Sequence, residues 1–195
     1  MPNSAAIRAI RLCVLLLTLA LTVSGCLTAE YKETHLLINE DGKSGHGIIT
    51  FANIVSEPGD SIDVSKEDFN SLISDYYQGK KIEKDNHGMH NVHKKLYVED
   101  DRLMGQVDFD FNDIADIGIF QYKGSGPYMC YTVADGFFTS GQYVASNGTY
   151  GGEKMPIIFW DNASKELYFK MSLSTPQEVR KSLVKSYTSW AASQK

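Results

Sequence analysis

"LMGQVDFDF", residues 103–111, sets apolar Val107, Phe109 and Phe111 against polar Gln106, Asp108 and Asp110 in strict alternation. Successive side chains of a strand point to opposite faces, so this stretch reads as a strand with one face in a core and the other in water. One-sided strands belong to antiparallel sheets, and the neighbouring sequence supplies a partner. Residues 95–99 and the pair Asp100-Asp101 complete a hairpin with it. The same pattern recurs on both sides. Residues 30–38 and 47–55 flank the turn Asn39-Glu40-Asp41-Gly42, and residues 155–160 and 166–172 flank Asp161-Asn162-Ala163-Ser164. Both pairs are predicted to be hairpins. Shorter strands are expected near residues 118–122, 128–133 and 141–145.

Two helices fall between and after these strands. Phe69, Leu72, Ile73, Tyr76 and Tyr77 recur at helical spacing, predicting an amphipathic helix over 66–78 with Ser65 and Asp68 as a capping box and Gly79 at its end. Thr175-Pro176-Gln177-Glu178 announces a final helix, with Val179, Leu183, Tyr187, Trp190 and Ala191 as its apolar stripe and Arg180, Lys181 and Lys185 as a basic face. The fold class is therefore α+β: an antiparallel sheet built from hairpins, with the internal amphipathic helix and the C-terminal helix packed on one face.

The chain has 195 residues, of which 1–25 read as a targeting segment. Arg8 and Arg11 give a positive start, residues 12–23 form an apolar run, and Ser24-Gly25 are small. The run is too short to span a bilayer, which takes about 20 apolar residues. Without this segment 17 Lys and Arg face 24 Asp and Glu, a net charge of −7. That balance excludes nucleic acid as a partner, since such binding needs a basic face.

The end of the segment, Val23-Ser24-Gly25-Cys26, resembles the lipobox of bacterial lipoprotein precursors. The resemblance implies cleavage between Gly25 and Cys26 and a diacylglyceryl group on the Cys26 sulfur, so that the membrane is a partner through the N-terminal lipid. It implies a bacterial cell envelope location, on the outer membrane facing the periplasm in a Gram-negative cell, because Leu27 is not the aspartate associated with inner-membrane retention. Residues 26–30 are then the lipidated cysteine and a short tether, and 31–195 a single α+β domain. Cysteine usage agrees with this reading. Cys13 leaves with the targeting segment, Cys26 carries lipid, and Cys130 remains as a lone thiol in an apolar strand.

Candidates for chemistry are few. His87, His90 and His93 recur every third residue in a polar stretch after the first helix, and imidazole is ligand chemistry for zinc or copper. Asp108, Asp110, Asn112, Asp113 and Asp116 open like a calcium loop, but Asp113 stands where such a loop needs glycine and Ile119 where it needs glutamate. Alternation with phenylalanine explains the same acids as the wet face of a strand. The segment 124–152 is rich in glycine and aromatic residues, among them Tyr128, Phe137, Phe138, Tyr143 and Tyr150, which could offer rings to an envelope protein, lipid or glycan. No G-x-S-x-G, H-E-x-x-H, C-x-x-C or dinucleotide-binding glycine pattern is present.

The lipidated cysteine, a tyrosine soon after it, a hairpin with Asp-Gly at its turn and a following amphipathic helix resemble LppM-like envelope lipoproteins over the first third of the mature chain. No residue roles carry over from that resemblance. The expectation is a lipid-anchored, non-catalytic ligand- or partner-binding domain that needs no cofactor. Metal capture through the histidine stretch is the alternative.

Overall fold

A computed structural model describes residues 26–57, 63–132, 141–173 and 180–194. It is an α+β fold, and all its strand pairings are antiparallel. The first hairpin consists of β1 (Cys26–Ile38) and β2 (Gly45–Glu57). Asp41 closes its loop, its Oδ1 accepting from the backbone N–H of Lys43 and Ser44 at 2.8 and 2.9 Å. The second consists of β3 (His90–Glu99) and β4 (Arg102–Phe111), joined by Asp100 and Asp101, both at positive φ (49° and 57°). Two positive φ values define the type I′ turn, whose twist matches that of the flanking strands.

Four more short strands follow: β5 (Phe120–Gln121), β6 (Tyr128–Tyr131), β7 (Gln142–Ser146) and β8 (Thr149–Tyr150). After them come β9 (Ile157–Trp160), β10 (Glu166–Ser172) and β11 (Lys181–Ser182). The larger sheet runs β3-β4-β2-β1-β10-β7, with β11 added beside the end of β2, and the smaller runs β5-β6-β9-β8. The expected third hairpin is therefore absent. β9 pairs with β6 and β8, whereas β10 pairs with β1 and β7. Trp160 and Phe169 explain the misreading: both are buried, and their rings meet at 6.0 Å from facing sheets. Alternation records a buried face, but not which sheet covers it.

The core lies on one face of the larger sheet. Leu36, Ile38, Ile49, Val107, Phe109, Phe111, Leu167, Phe169 and Met171 pack there against Tyr128, Cys130, Ile158 and Trp160 of the smaller sheet. Toward the opposite end the cover changes to helices, through Phe69, Leu72, Ile73 and Leu183. Phe109 and Phe111 are essentially inaccessible to solvent, each contributing about 1.5–3 kcal/mol by burial. Their rings lie over Gly47 and Gly45, their ladder partners, and fill the space where side chains at those positions would stand.

The first helix forms as expected in extent but not in detail. α1 (Ser65–Ser71) passes directly into a π-helical segment (Leu72–Tyr77). Its capping box is absent: Asp68 is buried and accepts from Ser56 Oγ at 2.6 Å, so its carboxylate ties the helix to β2. α2 (Lys81–Asp85) occupies part of the polar stretch that follows the first helix. The last helix, α3 (Val184–Ser193), starts later than the sequence suggests. Residues 175–179 lie outside the described residues, and Lys181–Ser182 is strand β11. The expected basic face of that helix is also corrected. Arg180 Nε bonds Glu57 at 3.1 Å and Lys181 Nζ stands 3.6 Å from Asp63, which leaves Lys185 alone on α3.

A lysine is buried under the sheets. Lys32, on the core face of β1, is 1 % exposed, and burial lowers its pKa to about 7 against a smaller opposing pull from Cys130. Burial pushes the Cys130 thiol up to about 12. Native Lys32 thus gives up its proton near pH 7, while the unfolded chain keeps it to about 10.4, so stability rises with pH across that window. Cys130 acts in the opposite sense once the unfolded thiol ionises, above about 8.5. Urea denaturation is expected to show stability rising by about 2 kcal/mol between pH 7 and 8.5 and levelling above it, with Lys32→Met abolishing the rise. In the β3/β4 turn, the double change Asp100→Asn and Asp101→Gly is expected to raise stability by about 0.5–1 kcal/mol in the same assay, since both suit positive φ better than aspartate.

Candidate functional site

Two departures from regular geometry shape the helix-covered end of the sheet. In β2, Asn53 adopts φ 56° and its amide bonds Glu30 at 3.1 Å. The departure turns Ile54 onto the face already occupied by Phe51, so that its Cδ1 stands beside Gly105. In the first helix the chain widens from α to π, and Gln78 N–H reaches back five residues to Ile73 O at 2.8 Å. π-helical turns are strained and recur at functional sites.

Between these features lies a cavity of about 350 Å³. The π segment supplies Leu72, Tyr76 and Tyr77. Leu27, Thr28 and Ala29 of β1, Phe51 and Ile54 of β2, Leu96 of β3 and Val107 of β4 add most of the walls, and Ile82, Lys94, Lys95, Gln106, Gly141 and Leu173 also line it. Gly105, opposite Phe51 in the ladder, adds no side chain to fill the space. The volume lies in the range of small-molecule sites, and the walls are mostly apolar.

Lys94 is the charged group on the wall whose partners close its chemistry. Its ammonium donates to Tyr76 O at 3.0 Å, Gly79 O at 2.6 Å and Glu83 Oε2 at 2.8 Å, with a side chain only 10 % exposed. Burial opposes ionisation of Glu83, but the hydrogen bond from Lys94, a backbone bond and the charges of Lys94 and Lys80 together hold its carboxyl below the usual range. The lysine satisfies carbonyls at the end of the π segment and pins that segment to β3. With its three donors engaged, it acts as a strut.

The residues singled out in the sequence lie elsewhere. His87 sits in the turn before β3, and His90 and His93 are exposed on β3. Among the described residues no group of three His, Cys, Asp or Glu side chains is placed to hold a metal ion. His46 meets two carboxylates, its Nδ1 lying 3.0 Å from Asp110 and its Nε2 3.4 Å from Asp108, and His35 Nδ1 lies 3.8 Å from Glu166. A bond from Asn91, together with His46, holds the Asp110 carboxyl below its ordinary pKa. Asp113 caps a 3₁₀ turn (Ile114–Ile117), accepting from Ala115 N–H at 2.9 Å.

The aromatic residues 128–150 are largely structural. Tyr128 is core, 1 % exposed, with its hydroxyl donating to Gly42 O at 2.9 Å, and so it is not available to a ligand. Tyr143 and Tyr150 stack on each other at 3.9 Å against the core edge, and Phe137 and Phe138 lie outside the described residues. Cys130 is a buried free thiol. Gly25 lies outside the described residues, whereas Cys26 opens β1 opposite Glu57. Residues 26–30 are thus ladder strand, not a free tether. Among the described residues no helix is long and apolar enough to cross a membrane.

The cavity itself escaped sequence reading. Its available signals were the Tyr76-Tyr77 doublet, which overfills one helical face, and Gly105 inside an apolar strand, a mark of close approach or of missing volume. Lys94→Met is expected to cost about 2–3 kcal/mol in chemical denaturation, because it strands a partly buried carboxylate and two carbonyls, while Glu83→Gln, which keeps an acceptor, is expected to cost less. No family model matches the chain, and neither a curated protein nor a solved structure matches it.

Proposed function

We propose that this chain is a lipid-anchored bacterial envelope lipoprotein whose non-catalytic domain takes up an apolar ligand, an acyl chain or a comparably slender hydrocarbon, in the cavity beneath the first helix. The observation that carries the reading is the cavity: about 350 Å³, with mostly apolar walls and with the Lys94 ammonium already engaged by Glu83 and two carbonyls. Water against apolar walls is unfavourable, so a hydrocarbon that displaces it from those walls gains the hydrophobic term, while Lys94 keeps its partners and Thr28, Lys95 and Gln106 are the other polar lining residues.

The envelope reading is supported by the lipobox-like run ending at Cys26. The absence of enzyme motifs and the engagement of Lys94 favour binding over catalysis. Cys130 is enclosed, and burial holds it as the thiol, so it too is unsuited to nucleophilic work.

Titration of residues 27–195 with N-phenyl-1-naphthylamine, whose fluorescence rises in apolar surroundings, tests the binding claim. Saturable one-to-one enhancement is expected, weakened tenfold or more by Leu72→Trp or Val107→Trp, which place an indole in the cavity. Absence of saturable binding by the wild-type protein, or equal binding by both filled variants, would remove the ligand reading.

A further inference from the structure

The cavity starts one residue after Cys26. Leu27, Thr28 and Ala29 all form its wall, and the β1/β2 ladder fixes the backbone of Cys26 opposite Glu57. A group carried on Cys26 is therefore rooted about 3.4 Å of strand from the wall. We propose that the occupant of the cavity is an acyl chain borne by Cys26 of the same molecule, so that the domain shelters part of its own anchor. The proposal rests on the lipoprotein reading above and names its ligand.

Three features favour this occupant over a free one. First, a covalently attached chain enters as an intramolecular ligand, at an effective concentration in the millimolar range for a short connection, which a sparingly soluble free lipid does not match. Second, residues 27–29 do not act as a loose leash: Leu27, Thr28 and Ala29 are held in register with Ser56, Val55 and Ile54. Thus the attachment point cannot move far from the cavity without unpairing the strand. Third, the lining residues within three positions of Cys26 are Leu27, Thr28 and Ala29, with Ile54 paired to Ala29, while the charged Lys94 lies on β3 and is tied to the π segment and α2. A hydrocarbon entering from Cys26 meets Leu27, Ala29 and Ile54, with Thr28 as the one polar side chain among them, before it reaches a charged group.

Retaining one chain inside the domain lowers the number in the bilayer. One chain holds a protein to a membrane only marginally, whereas two hold it stably. Sheltering a chain thus tunes how firmly the protein is anchored.

Feeding cells that express the full chain a fatty acid with a terminal diazirine places a photoreactive group at the tip of the Cys26 acyl chains. After irradiation in membranes, intact mass and peptide mapping of the extracted protein read the outcome. The expected result is an adduct on Cys26 with intramolecular cross-links to peptides containing Leu72, Tyr76 or Leu96. Ala29→Phe and Val107→Phe, which narrow the cavity from two sides, are expected to retain the adduct and lose those cross-links tenfold or more. An adduct without such cross-links in the wild-type protein, or cross-links undiminished in both variants, overturns the proposal and leaves the lipoprotein reading intact. An intact mass lacking acyl groups overturns both.

Discussion

Phe109 and Phe111 lie across Gly47 and Gly45, and much of the architecture depends on that contact. A side chain at either glycine would collide with a ring that is itself buried, so β2 and β4 approach in one register only. A slip by one residue would bring His46 and Ile48 under the rings and turn both phenylalanines toward water. Once the register is fixed, β1 follows β2 through the first hairpin, and β10 follows β1. The smaller sheet then closes over the rings, with Tyr128 sealing that end through its bond to Gly42 O.

The two ends of the larger sheet are consequently unlike. Where phenylalanines fill the space over glycines, packing is complete. Farther along the same strands the pairing of Gly105 with Phe51 repeats the arrangement of glycine against ring, but the cover is now a helix. Asn53 and the π segment each move residues away from regular positions at this end, and both contribute to the cavity wall through Ile54, Leu72, Tyr76 and Tyr77. Irregular backbone is destabilising in itself and persists when its surroundings hold it. Here Glu30 holds Asn53, and Lys94 holds the end of the π segment.

The strands were legible because alternation is a local signal. β4 and β10 stand within a residue of where the pattern puts them, and the Asp100-Asp101 turn announces itself in the sequence. Assignment of strands to sheets was not legible, since Trp160 and Phe169 carry the same inward signal whichever sheet holds them. The histidine spacing suggested a cluster because residues three apart look close in sequence. On β3 a register shift sets His90 opposite Asp110 and His93 opposite Asp108, both on the outer face, while His87 stays in the turn before the strand, so the regular spacing did not gather three ligands. The cavity depends on what is missing between elements distant in sequence, and no window of residues records that.

Lys32 shows why the hollow end differs in kind from a packing fault. The chain tolerates a lysine, a threonine and a cysteine within the closed core, with Thr34 Oγ1 lacking a hydrogen-bond partner and burial pulling the lysine pKa far down. These polar burdens lie along β1 and under the smaller sheet. The cavity, at the β1 start, has only Lys94 as a buried cation among its described lining residues, and that cation is fully engaged. Thr28, Lys95 and Gln106 also line the cavity, but most of its wall is apolar, and that surface favours a hydrocarbon over water. The charged lining residues, Lys94 and Lys95, lie on β3, separated from β1 by β4 and β2, whereas Leu27 and Ala29 line the cavity beside Cys26, which places apolar surface and chain connectivity at the same point of the fold.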